Sequence, residues 1–112
     1  MAQVQVLLDG CVPSRLASEL PEYGVRTAPE MGWADLDDGP LLEAMAGRFD
    51  VLVTMDKSLP KQQCISDRPL AVVVLRAKTN RLMDLHPHVP KLRVLLKNVR
   101  PGQVYEIPEH GS

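Results

Sequence analysis

The chain has 112 residues, enough for one domain and too few for a second hydrophobic core. Apolar residues make up 45% of it but aromatic ones only 4%, so the core must be built from Val, Leu, Ala and Met, with no aromatic platform on which bases could stack. A formal net charge of −1 excludes a strong long-range pull toward nucleic acid; phosphate binding would need local positive charge or a metal.

Residues 3–8 are rich in Val and Leu and run into Asp9-Gly10, which reads as a strand and a turn. Pro13 is expected to open a helix with Leu16 and Leu20 on one face, since a proline is tolerated in the first helical turn. Gly24 closes that unit, and residues 25–28 form a brief second strand. Residues 29–39 are a polar loop. Asp38 precedes Pro40, Leu41, Leu42, Ala44 and Met45, so it is expected to cap a short helix ending near Gly47. Residues 51–54 are β-branched and apolar, a buried strand leading into Met55-Asp56-Lys57, with a loop or frayed helix after it through Cys64. Residues 70–76 hold the most continuous apolar run, as in a central strand covered on both faces. Over 80–99, Leu82, Leu85, Val89, Leu92, Leu95 and Val99 recur at helical spacing, and Pro87 and Pro90 predict a kink or two helices in sequence. Residues 103–107 read as a final edge strand. The order β-α-β-α-β-β-α-β predicts a three-layer α/β domain with a mainly parallel sheet over residues 1–108, and a tail over 109–112.

Two aspartates occupy equivalent places. Asp9 ends the first strand and Asp56 ends the third, and in a parallel sheet both emerge at the carboxyl edge, where open α/β folds place their ligands. Asp38 joins them if its loop folds over that edge. Carboxylates gathered this way repel one another unless a cation lies between them, and hard oxygen donors suit Mg²⁺ or Mn²⁺. Such an ion activates water and neutralises phosphate charge. The plainer reading is that aspartates after strands make turns and that Asp38 is only a helix cap.

The chain resembles the small bacterial PIN-like proteins, relatives of the PIN ribonucleases that act as toxins in toxin–antitoxin pairs. The likeness covers nearly the whole length. It is carried by Leu7-Leu8-Asp9 with Pro13 and Leu16, Glu30-Met31-Gly32, and Asp38 with Leu41-Leu42. It continues through Leu52-Val53-Thr54-Met55-Asp56-Lys57, Val74-Leu75-Arg76 with Asn80, and Pro101-Gly102-Gln103-Val104. The resemblance implies a PIN-like sheet and a divalent metal held by Asp9, Asp38 and Asp56, which are then also the catalytic candidates. It implies an RNA substrate and a small antitoxin partner with a helix-turn-helix domain. Relatives read Asp-Glu-Asn at the first motif, where this chain has Asp9-Gly10-Cys11. They read Asp-x-Asp-Phe at the third, where it has Asp56-Lys57-Ser58-Leu59. These departures keep open a second reading, a protein-binding module that has the fold without the chemistry.

Arg76, which matches a family arginine, and Lys57 are the candidates for contact with substrate phosphate; a structural ion pair and a solvated lysine are their plain alternatives. Cys11 and Cys64 are widely spaced and read as free thiols of a cytoplasmic protein, Cys11 partly buried and without structural zinc. His86 and His88 are two apart on a predicted helix and face different ways. Asp35 and Asp37 solvate the loop, Asp37 being the stand-in if Asp38 is misaligned. Gln3 and Gln5 interrupt the apolar start, so no signal peptide is expected, and no apolar run approaches a membrane span. A homodimer is left open.

Overall fold

The computed structural model describes residues 3–107. The tail expected over 109–112, with His110, lies outside the described residues. Five strands form one sheet: β1 (Gln5–Leu8), β2 (Gly24–Thr27), β3 (Val51–Thr54), β4 (Ala71–Leu75) and β5 (Val104–Ile107), in the order β2-β1-β3-β4-β5. Every pairing is parallel, so the expected mainly parallel sheet is wholly parallel among the described residues.

Parallel strands need crossovers, and here these supply the outer layers. β4 is buried along its whole length, as its unbroken Ala71-Val72-Val73-Val74-Leu75 run requires. Side chains alternate, so Val6, Leu8, Val51, Val53, Val73 and Leu75 face one layer while Leu7, Leu52, Val72 and Val74 face the other. The first layer holds Leu16 and Leu20 from a short 3₁₀ segment (Ser14–Glu19) and the buried face of the long β4–β5 connection. The second holds Leu41, Leu42 and Met45 of α1 (Asp38–Met45) and Leu59 of α2 (Leu59–Gln62). This is the expected three-layer arrangement. Each fully buried Val or Leu contributes roughly 1.5–3 kcal/mol relative to exposure, which is how a core nearly free of aromatics suffices.

The β4–β5 connection is α3 (Leu82–Leu85), a 3₁₀ turn (His86–His88) and α4 (Val89–Leu96). The break falls where Pro87 and Pro90 predict it, because neither ring nitrogen can donate to the preceding turn. Leu85, Val89, Leu92 and Leu96 are its buried residues, whereas Leu82, Leu95 and Val99 pack against the core only in part. This connection crosses the same face as the β1–β2 connection but moves the opposite way along the sheet, so the two crossovers have opposite hands. Most such connections are right-handed.

Three local expectations are corrected. Pro13 precedes a 3₁₀ segment and not an α-helix, and sits at its cap position. Asp38 is the first residue of α1 and not its cap; Asp37 takes the cap position and makes no side-chain cap hydrogen bond. Cys11, expected to be partly buried, is exposed as a residue, with only its thiol partly desolvated.

Candidate functional site

Strand order places the site. The direction of winding reverses between β1 and β3, which leaves a crevice at their carboxyl ends. Leu8 pairs with Val53, so the next residues, Asp9 and Thr54, come side by side. By alternation both belong to the face covered by α1. That helix starts at the carboxyl edge because it must run back antiparallel to β2 and β3, and its first residue is Asp38. Asp9, Asp38 and Asp56 are therefore brought to one edge by topology.

Thr54 is the organising side chain. It is the one buried polar residue among those described, with 0% exposure. Its hydroxyl donates to Asp9 Oδ2 at 2.7 Å and accepts the Asp56 backbone N–H at 3.1 Å. One buried hydroxyl thus sets the separation of the first and third motifs. Asp9 Oδ1 accepts the Gly10 N–H at 2.8 Å. Asp56 Oδ1 accepts both the N–H and the hydroxyl of Ser58, at 2.9 and 2.6 Å. Each carboxylate oxygen keeps lone-pair capacity beyond these bonds.

Two neighbours of the aspartates have structural tasks. Ser58 locks the Asp56 carboxylate with its N–H and its hydroxyl. Cys11 Sγ accepts the Met55 N–H at 3.4 Å and lies 3.6 Å from Thr54 Oγ1. The Cys11 carbonyl accepts from Asn80 Nδ2 at 3.3 Å, tying the loops after β1, β3 and β4 together. Desolvation pushes the Cys11 thiol up from its ordinary pKa, and the Asp9 charge adds to this. The side chain is therefore held as a thiol and not as a nucleophilic thiolate. Cys64 is also free.

The third aspartate is within electrostatic reach of the other two. Desolvation raises the Asp38 carboxyl above its ordinary pKa, followed by the charges of Asp56, Asp9 and Asp37. Asp38 is partly buried whereas Asp37 and Asp35 are exposed, so Asp38 is the member that faces the pair. Hard carboxylate oxygens are the donors a small divalent cation takes, and its charge would relieve their repulsion. As they stand, no group of three His, Cys, Asp or Glu side chains among the described residues is close enough to hold a metal ion.

Beside the aspartates a cleft of about 630 Å³ opens between the ends of β3 and β4. Met55, Leu75 and Ala77 give it apolar surface, and Asp56, Lys57, Arg76 and Lys78 give it charge. Both residues expected to contact phosphate, Lys57 and Arg76, thus border the same space as Asp56. Arg76 also pairs with Glu106 on β5 at 3.3 Å. Sequence reading missed Thr54 and Lys78, and took Ser58 only as a lost carboxylate and not as the partner of Asp56. A threonine inside an apolar strand and a serine two residues after an aspartate were the available signals, but Lys78 had none. His86 lies 3.6 Å from Glu19, away from these groups in the fold.

No helix among the described residues is long and apolar enough to cross a membrane. The chain was compared with family models, with curated proteins and with solved structures, and it matches none of them.

Proposed function

We propose that this domain is a PIN-like, metal-dependent ribonuclease. The observation that carries the reading is the convergence of Asp9, Asp38 and Asp56 on one carboxyl edge at the reversal point of a parallel sheet. Asp9, Asp38 and Asp56 would hold Mg²⁺ or Mn²⁺, and such an ion supplies an activated water and charge neutralisation at phosphate. Thr54 fixes Asp9 relative to the Asp56 backbone, and Ser58 fixes the Asp56 carboxylate, so the donors are preorganised on strand ends. Lys57 and Arg76 border the adjoining cleft, where an RNA phosphate would meet positive charge. A role as the toxin of a toxin–antitoxin pair, with a small helix-turn-helix antitoxin, rests on the sequence resemblance alone.

A second reading has its own observation. Ser58 and Cys11 occupy positions where relatives bring further polar ligands, and both are used in internal hydrogen bonds. A protein-binding module with a stabilised but non-catalytic edge would look the same. Thermal melts with and without millimolar Mn²⁺, alongside RNA cleavage assays, separate the two. The ribonuclease shows a metal-dependent rise in melting temperature that Asp9→Asn, Asp38→Asn and Asp56→Asn each abolish, together with cleavage. At a metal concentration 100 times Kd the rise corresponds to about 2.7 kcal/mol. No shift and no cleavage would leave the binding module.

A further inference from the structure

We infer that Asn80 is a positioning residue: it fixes the turn that carries Asp9 and, through that turn, sets how tightly the aspartate edge takes a cation. The second half rests on the ribonuclease reading, and the first does not. Asp9 leaves β1 into a turn closed by the Val12 N–H, which donates to the Asp9 carbonyl at 2.9 Å. Gly10 and Cys11 are its central residues. A Cβ at Gly10 would meet nothing within 4 Å, and glycine has the widest backbone freedom, so the middle of the turn is soft in itself. The Gly10 N–H that donates to Asp9 Oδ1 at 2.8 Å moves whenever the turn does, and so does the Cys11 Sγ that accepts from Met55. Asn80 Nδ2 donates to the Cys11 carbonyl at 3.3 Å, from 69 positions away, and takes that freedom out.

Asn80 can act this way because the residues on either side of it are pinned. Among the described residues no backbone hydrogen bond holds 77–80; side chains do so instead. The Thr79 hydroxyl donates to the Asp84 carboxylate and accepts the Arg81 N–H at 3.1 Å. Asp84 lies in the first turn of α3, whose Leu85 is buried in the same core cluster as Leu8 and Val12. The Asn80 amide is thus carried by a frame anchored in the core. It is applied to the middle of a turn whose two ends alone are anchored, Asp9 by β1 and Val12 in that core. Asn80 is itself exposed and its bond is neutral, so its removal should move global stability by no more than about 0.5 kcal/mol. Its effect is on geometry, and a group that orients a metal ligand from outside typically changes metal affinity by about tenfold or more.

The test uses the full chain, first in EDTA with amide hydrogen exchange followed by NMR, then in a Mn²⁺ titration followed by thermal melts. Asn80→Ala should speed exchange at the Val12 N–H by roughly two- to tenfold, the population change that one neutral hydrogen bond carries. The Val72 N–H of β4, which donates to the Gln103 carbonyl at 3.0 Å, should exchange as in the wild type. Mn²⁺ affinity should fall about tenfold. Asn80→Gln, which keeps the amide donor, should return part of both losses. Unchanged Val12 exchange in Asn80→Ala would overturn the inference. Equal acceleration at Val12 and Val72 would overturn it as well, by making Asn80 an ordinary contributor to stability. So would an unchanged Mn²⁺ affinity in Asn80→Ala when the wild type binds the ion. A wild type that does not respond to Mn²⁺ defeats the ribonuclease reading alone, and Val12 exchange still decides whether Asn80 holds the turn.

Discussion

Replacing Thr54 with valine isolates the organising hydroxyl of the site. The two side chains are nearly isosteric, and both suit a strand. The substitution removes the bond donated to the Asp9 carboxylate at 2.7 Å and the one accepted from the Asp56 N–H at 3.1 Å. A hydrogen bond to a charged group contributes roughly 1.5–3 kcal/mol and a neutral one roughly 0.5–1.5 kcal/mol. Against this, the buried methyl that replaces the hydroxyl returns about 0.8 kcal/mol. Asp9 is only partly buried and regains water, which brings the expected loss to about 1.5–3 kcal/mol. For a domain of this size that lowers the melting temperature by roughly 6–15 °C. Urea unfolding followed by circular dichroism measures it, and Thr54→Ser, which keeps the hydroxyl, should restore most of the loss. A Thr54→Val variant within about 0.5 kcal/mol of wild type, the range of neutral surface changes, would show that the hydroxyl does not hold the edge together.

Three further outcomes are expected. Gly102 has φ +81 in the Arg100-Pro101-Gly102-Gln103 turn, and a Cβ there would lie 2.9 Å from the Ser66 carbonyl oxygen. Gly102→Ala should therefore cost about 2–4 kcal/mol in chemical denaturation, from left-handed strain plus the clash. Glu22 is held below its ordinary pKa, chiefly by hydrogen bonds from Arg93. The stability this adds is fully present above the ordinary Glu range and is lost as pH falls through the lowered folded value. The gap between wild type and Glu22→Gln should thus close on acidification, as read by melts from pH 6 down to pH 3. Asp38 is displaced the other way, so its charged form is disfavoured in the fold. Asp38→Asn should raise stability at neutral pH in EDTA, and a loss there would contradict the placing of Asp38 near Asp56 and Asp9.

The fold was legible wherever burial dictates composition. β3 is read to the residue over 51–54, and β4 within one, because strands covered on both faces admit only apolar side chains. Pro87 and Pro90 announce the broken connection for a covalent reason. What escaped depends on partners distant in sequence. Thr54 looks like any β-branched strand residue until the register puts it against Asp9, 45 positions away. The 3₁₀ character of Ser14–Glu19 escaped as well, since a six-residue segment shows too little periodicity to distinguish it from an α-helix. Asp9 and Asp56 were legible as a pair because strand ends in a parallel sheet share an edge. Asp38 needed the additional knowledge that α1 starts there. Lys78 lies in a polar loop, and only the pairing of β3 with β4 brings it to the cleft that Lys57 also lines.

The clasp between α4 and the start of β2 has a consequence for how the protein is made. Arg93 binds Glu22 through two nitrogens, and the Tyr23 hydroxyl donates to the Arg93 carbonyl at 2.5 Å. These contacts span about seventy positions of the chain. While the chain emerges N-terminus first, β1 and β3 can pair and α1 can cover one face as soon as residue 54 is free. The opposite face, with Val6, Leu8, Val51 and Val53, is covered only by Leu16 and Leu20 of the 3₁₀ segment until α4 arrives. The ribosome-bound intermediate therefore carries a sheet half-covered on that face and an open β3 edge, the kind of surface that recruits chaperones or aggregates. Slow synthesis between residues 54 and 96 should lower the soluble yield of this protein, and supplying the C-terminal segment late should not rescue it.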